Sequence, residues 1–220
     1  MRKVVIATPS LDGRVEATYA YFLAETVRLG MQNGIAFLPL MVLREALIQQ
    51  ARNDLFAMAY KADADDVIWV DSDIAWEPQH ALRLLSHDVD VVGGTYRRKD
   101  DAESYVVKCR RENLQIGPNG LIEVEALGCG FLRMSRRAVS HLWDVSTAYK
   151  SKGDERRWVF DVRPFKGEVV SEDVGACLRL HDDGIPVYLD PAITCHHVGA
   201  KTYSGDFASW MARFQMAAAA

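Results

Sequence analysis

No apolar run in this sequence approaches the roughly 20 residues that a membrane-crossing helix needs. Met1-Arg2-Lys3 and Val4-Val5-Ile6-Ala7 begin like a secretory leader. The apolar part is too short, however, and meets Thr8-Pro9-Ser10-Leu11-Asp12-Gly13 at once. A protein without membrane insertion, in the cytoplasm, is expected. The cysteines Cys109, Cys129, Cys177 and Cys195 include no close pair with zinc-ligand spacing and suggest no disulfide framework. Reduced thiols are expected. The formal net charge of −4 is too small to name a partner. Neither an internal repeat nor a low-complexity linker divides the chain. One domain over residues 1–216 is expected, with residues 217–220 a frayed alanine tail or a vector scar.

Hydrophobic residues make up 49% of the chain and charged residues 25%, which suits a folded domain with a sizeable core. Basic residues cluster at Arg97-Arg98-Lys99, Arg110-Arg111, Arg136-Arg137 and Arg156-Arg157. Such clusters serve as solvated surface or as a funnel for anionic substrates.

The pattern alternates strand and helix through residue 94. Strands are predicted at Val4 to Ala7, Ile35 to Leu40, Val67 to Val70 and Val89 to Val92, the last closed by Gly93-Gly94. Helices are predicted at Glu16 to Leu29 with Gly30 as a stop, at Leu43 to Lys61, and at Pro78 to Leu85. This order implies an α/β fold with a parallel sheet covered on both faces. Tyr105 to Arg110 and Leu121 to Ala126 read as an antiparallel extension. Helices follow near Ser135 to Trp143 and over Ser171 to His181, a polar mobile loop over Lys150 to Arg157, and a final strand at Val187 to Leu189.

Asp71-Ser72-Asp73 follows the apolar strand Val67 to Val70, at the strand end where open α/β sheets bind ligands. If the extended geometry continues, Asp71 and Asp73 point the same way. Paired carboxylates suit Mg²⁺ or Mn²⁺, and such an ion neutralises a diphosphate leaving group. Arg52 falls at the edge of its helix's apolar stripe, where it serves a salt bridge or a donor phosphate or sugar. In Ser171-Glu172-Asp173, Asp173 lines up with the apolar face of Ala176, Cys177 and Leu180, and Glu172 with Gly175 and Arg179. The acids also suit a helix N-terminus without any catalytic role. Gly128-Cys129-Gly130 permits close backbone approach to a ligand or forms a β-bulge. Trp76, Tyr96, Trp143 and Trp158 are candidate stacking residues or core.

In order along the chain, several of these pieces resemble the GT-A nucleotide-sugar glycosyltransferases, particularly short soluble phage and viral ones. They are Thr8-Pro9, Ala51-Arg52-Asn53, Asp71-Ser72-Asp73, Gly93-Gly94-Thr95-Tyr96, Gly128-Cys129-Gly130-Phe131-Leu132, Ser171-Glu172-Asp173 and His197-Val198-Gly199. The resemblance implies a Rossmann-like mixed sheet. It implies a metal held by Asp71, Asp73 and His197, with His196 an alternative to His197, and the imidazole favours Mn²⁺ over Mg²⁺. It places Thr8, Pro9 and Asp12 around the nucleoside, and Arg52, Asp71, Ser72, Gly93, Gly94 and Gly130 around the donor. It makes Asp173, with Glu172 beside it, the base that deprotonates the acceptor in an inverting transfer. A UDP-sugar is the favoured donor. The acceptor is a cell-surface glycan or a hydroxymethylated base in phage DNA.

Competing classes fit less well. In dehalogenase-type phosphohydrolases the aspartate pair follows the first strand, and here it follows a later one. Sugar nucleotidyltransferases carry a Gly-rich basic loop after the first strand, and Thr8 to Gly13 is poor in both features. A non-catalytic nucleotide-sugar binding protein is excluded only by turnover.

Overall fold

The computed structural model describes residues 1–109, 115–151, 153–165 and 167–218. In chain order the elements are β1 (Arg2–Ser10), α1 (Ala17–Gln32), β2 (Ile35–Leu43), α2 (Ile48–Lys61), β3 (Asp66–Val70), β4 (Ile74–Ala75) and α3 (Pro78–Ser86). Then come β5 (Val91–Tyr96), β6 (Val107–Lys108), β7 (Ile122–Val124), β8 (Ala126–Leu127), β9 (Phe131–Ser135), α4 (Arg136–Val145), β10 (Ala148–Ser151) and β11 (Asp154–Arg157). The chain closes with β12 (Arg163–Phe165), β13 (Glu168–Val170), α5 (Glu172–Asp182), β14 (Val187–Val198), β15 (Thr202–Tyr203) and α6 (Phe207–Ala218).

The main sheet runs β15-β14-β5-β9-β3-β1-β2. β2, β1, β3, β5 and β14 point the same way, and β9 lies antiparallel between β3 and β5. This is the mixed α/β architecture expected from the sequence. Strand alternation feeds two cores. Val4, Ile6, Ile68 and Val70 pack with Tyr19 of α1 and Leu84 of α3 on one face. Val5, Ala7, Val67 and Trp69 pack with Leu55 of α2, Leu142 of α4, Leu180 of α5 and Phe207 of α6 on the other. Both faces are covered, so the strands read as unbroken apolar runs. Among the described residues no helix is long and apolar enough to cross a membrane.

Several boundaries differ from the sequence reading. β1 runs through Pro9 to Ser10 instead of stopping at Ala7, because it stays paired with β2 as far as Ser10 and Leu43. β3 pairs with β1 only as far as Ala7, so among the described residues the other side of Pro9 has no neighbouring strand, where a missing N–H costs no ladder bond. α1 continues past Gly30, whose lack of a side chain admits the Phe37 ring: a Cβ there would lie 2.4 Å from it. The helix turns at Asn33-Gly34 instead, with Gly34 at φ +71°. Leu43 belongs to β2, paired with Ser10, so α2 starts five residues later than its spacing suggests. Where a mobile loop is expected, Ala148–Ser151 and Asp154–Arg157 pair as strands β10 and β11, anchored by Arg156 Nε donating to buried Asp54 at 2.7 Å, and Lys152 lies outside the described residues. β6 pairs with β8, while β7 extends the main sheet on β14. Arg110, the end of that predicted strand, and Arg111 lie outside the described residues. β14 runs nine residues beyond Leu189, through a register shift before Thr194. Ala217 and Ala218 belong to α6, and residues 219–220 lie outside the described residues.

At the start of β3, Asp66 is 1% exposed and accepts from Arg2 Nε at 2.6 Å and Arg133 Nε at 2.7 Å. Arg133 is itself buried on β9. Asp66→Ala strands that guanidinium, and a buried pair broken on one side costs about 3–5 kcal/mol. Urea unfolding should show a lower midpoint with an unchanged slope. A loss below about 1 kcal/mol, the scale of an exposed pair, contradicts this role.

Candidate functional site

The chain brings its acidic residues together at the C-terminal ends of β1 and β3. β3 stops at Val70, and Asp71 to Asp73 form a turn rather than more strand, with the Ile74 N–H donating to Asp71 O at 3.1 Å. The two carboxylates therefore do not share one direction. Three neighbouring segments dock on this turn through their backbones. Glu16 N donates to Ser72 O at 3.1 Å, Asp71 N to Gly130 O at 3.3 Å, and Val198 N to Asp73 O at 2.8 Å. The loop after β1, the start of β9 and the end of β14 thus meet at Asp71-Ser72-Asp73.

Asp71 belongs to a buried cluster built on Arg52. The guanidinium, 3% exposed, donates from Nη2 to Asp71 Oδ1 and from Nη1 to Glu172 Oε1, both at 2.8 Å. Asp173 Oδ2 lies 3.6 Å from Nη1. Three carboxylates therefore share one cation. Burial pushes the Asp71 and Glu172 carboxyls above their ordinary range, against the opposing pull of Arg52. Arg52 Nε is buried and has no acceptor among the described residues. Asp173 accepts from Ser171 Oγ at 2.5 Å and Val174 N at 2.8 Å on one oxygen, and from Cys129 N at 3.3 Å on the other.

Asp73 belongs to a second cluster. His197 Nε2 lies 3.6 Å from Asp73 Oδ2, and Lys99 Nζ donates to the same oxygen at 2.6 Å. Burial raises the Asp73 carboxyl, but His197 and Lys99 more than offset it and hold it below the usual value. His197 Nδ1 bonds the Arg97 carbonyl at 2.8 Å. A carbonyl only accepts, so Nδ1 carries a hydrogen, and Nε2 is the ring nitrogen that faces Asp73. Asp73 Oδ2 and His197 Nε2 are the two atoms here that could ligate a cation, with Nδ1 bonded to a backbone carbonyl as in many metal-binding histidines. His196, the next residue along the strand, is exposed. His197 is thus the histidine brought to Asp73. Asp71 is engaged by Arg52, and among the described residues no group of three or more His, Cys, Asp and Glu converges on one metal position.

The end of β1, which the sequence reads as loop, and the loop after it lie close by. Thr8 is buried, with its Oγ1 2.5 Å from Tyr19 Oη, and the Asp71 charge adds to the burial that raises the Tyr19 hydroxyl. Pro9 is buried beside it, whereas Asp12 is exposed and accepts from Arg14 N at 2.9 Å. The predicted donor glycines have packing roles. A Cβ on Gly93 would meet Phe131 O at 2.7 Å, and one on Gly94 would meet Ile193 Cγ2 at 2.3 Å. Both lie inside β5, so neither ends the strand. Gly130 makes room for Tyr96, whose ring would lie 2.4 Å from an added Cβ and whose hydroxyl accepts from Gly130 N at 3.1 Å. Trp76, Tyr96 and Trp143 are core, while Trp158 is 38% exposed. Burial pushes the Cys129 thiol far above its ordinary value.

A groove of about 270 Å³ passes the sequence neighbours of Asp173, lined by Val106, Leu127, Gly128, Val170, Ser171 and Val174. Larger cavities of about 430 and 470 Å³ lie elsewhere, one by Arg2 and Arg133 at the opposite end of β3 and one by Pro118 and Tyr188.

The fold is shared with A197 from STIV. That crystal structure is 20% identical over 90% of this chain and 86% of its own, with a TM-score of 0.58. A looser overlay matches the inositol-1-phosphate CTP transferase from T. maritima, at 11% identity, 88% and 85% coverage and a TM-score of 0.45. Another matches a glycosyltransferase involved in glycosylation of the major capsid of PBCV-1, at 12% identity, 66% and 67% coverage and a TM-score of 0.36. These two overlays are too loose to carry an argument. No family model matches the chain, and no curated protein matches it in sequence.

The basic clusters are largely spent inside the protein. Arg97 donates to the carbonyls of Asp100, Asp101 and Ala102. Arg136 lies over the Tyr60 ring, Arg137 pairs with Asp90, Arg156 with Asp54, and Arg157 lies over Trp143. In the sequence Lys99 stands out only as one charge in such a cluster. The signal was its place, three residues past Tyr96 at the ligand-binding edge of the sheet.

Proposed function

We propose that this chain is a glycosyltransferase that moves a sugar from a nucleotide-diphosphate donor, a UDP-sugar first, to a hydroxyl acceptor. The observation that carries this reading is the meeting of Asp73 and His197 with the Arg52-centred carboxylates at one sheet edge. Asp73 and His197 would hold a divalent ion, Mn²⁺ rather than Mg²⁺ given the imidazole, with Asp71 beside them. When bound, that ion supplies charge neutralisation for the departing nucleotide diphosphate. Thr8, Pro9 and Asp12 flank the nucleoside, and the unpaired Nε–H of Arg52 offers a buried donor to a ligand oxygen. Asp173 takes the acceptor's proton as the hydroxyl oxygen attacks the anomeric carbon, which gives inversion. The groove beside Ser171 and Val174 would take an acceptor glycan or an extruded hydroxymethylated base. The paired state of most of the described arginine clusters favours the glycan.

UDP titrated calorimetrically in Mn²⁺ should bind about ten- to a hundred-fold more weakly after EDTA and, separately, in Asp73→Ala, the scale of a lost charged contact. Equal affinity in all three samples contradicts the metal part of this reading.

A further inference from the structure

Lys99 takes no part in the chemistry above, yet its ammonium sits on the same Asp73 oxygen that His197 faces. Its position is built in. A Cβ on Gly199 would lie 3.1 Å from Lys99 Cδ and 3.3 Å from Cε, so the absence of that side chain gives the lysine stem its path. Gly199 is held in turn by its own N–H donating to Lys201 O at 3.0 Å, just after Val198 docks on Asp73. The lysine side chain is 37% exposed and Asp73 34%, so the contact can open toward solvent. An ammonium and a divalent ion repel each other and cannot share one carboxylate oxygen at bonding distance.

We propose that Lys99 gates the cation site: its ammonium holds Asp73 in the resting protein, and a divalent ion reaches Asp73 and His197 by displacing it. This rests on the metal reading of the site given above. Lys99 is a positioning residue here, since it sets which cation Asp73 holds. Its flexible four-carbon stem leaves the displaced ammonium in the cleft, where a nucleotide diphosphate offers it a new partner. Metal and nucleotide should therefore each favour the other's binding, and more so with the lysine than without it.

The test measures Mn²⁺ binding by electron paramagnetic resonance, with and without UDP, in the intact protein and three variants. Lys99→Met keeps the packing on Gly199 and removes the competing charge. It should bind Mn²⁺ about two- to five-fold more tightly without UDP, the range set by a half-exposed ion pair, and UDP should add less to its affinity. Arg98→Met removes a neighbouring exposed charge that makes no bond to Asp73, and should change little. Asp73→Asn should lose the site. If Arg98→Met tightens binding as much as Lys99→Met, general charge explains the effect and the gate is wrong. If the intact protein binds Mn²⁺ and Lys99→Met binds it no more tightly, the gate alone falls. If neither binds Mn²⁺ even with UDP, the metal reading falls and the gate with it.

Discussion

Arg52→Ala should destabilise the protein by about 3–5 kcal/mol and remove nucleotide binding in the same step. Arg52 is the shared cation of Asp71, Glu172 and Asp173 and is almost fully buried. Its loss leaves carboxylates in a poorly solvated place with nothing opposite them, the costly way to break a buried ion pair. The effect carries a pH signature through Glu172. Burial already raises that carboxyl and Arg52 pulls it down, so the variant raises it further. A carboxyl whose folded value lies above its unfolded one binds its proton more tightly in the native state. The unfolded glutamate is the same in both proteins, so the variant's deficit should grow as pH rises through the interval between the intact protein's raised folded value and the variant's still higher one, and should shrink toward acid. Urea unfolding across pH checks both. Arg52→Lys should recover only part of the loss, because one ammonium cannot reproduce a planar fork that reaches Asp71 and Glu172 together. A stable Arg52→Ala with normal UDP binding contradicts the cluster's role.

Asp173→Asn should keep the fold and UDP binding and lower turnover about 10²- to 10⁴-fold. The amide oxygen can still accept from Ser171 and Val174, but the group no longer takes a proton. Its NH₂ would face the Cys129 N–H, which costs about 1–3 kcal/mol for an unsatisfied buried donor and leaves the rest of the site intact. Glu172→Gln is the comparison. Glu172 is 7% exposed and its carboxylate is taken by Arg52, so its loss should appear in stability before turnover. Near-normal transfer by Asp173→Asn with none by Glu172→Gln would reverse the two roles.

The sequence made the outer parts of the fold readable and hid its middle. Val67 to Val70 announces β3 because a strand buried on both faces needs no alternation, and Pro78 and Asn33-Gly34 mark real boundaries. β9 was missed as a strand because Phe131 to Ser135 is short and runs straight into α4. Its antiparallel insertion between β3 and β5 is a nonlocal pairing that no local pattern encodes. β14 was cut short at Asp190-Pro191, where the strand shifts register and Asp190 instead holds Arg83 and His87. At the site, Asp71, Asp73, His197, Arg52, Glu172 and Asp173 were all visible as residues. Their division into two clusters was not, because it depends on the turn after Val70 and on which cation each carboxylate meets. Gly93, Gly94 and Gly130 carry a real signal that points to packing, since the atoms filling their space come from Phe131, Ile193 and Tyr96.

The most direct test of the transferase reading offers nucleotide sugars labelled in the sugar, with Mn²⁺, to the intact protein and to Asp173→Asn. The acceptors are a glycan panel, plain DNA and hydroxymethylated DNA. The account predicts that label moves from a donor, a UDP-sugar first, onto a hydroxyl acceptor with release of the nucleoside diphosphate, and that Asp173→Asn fails to move it. Formation of a nucleotide sugar from a sugar phosphate and a nucleoside triphosphate, with no transfer to any hydroxyl acceptor, would contradict it.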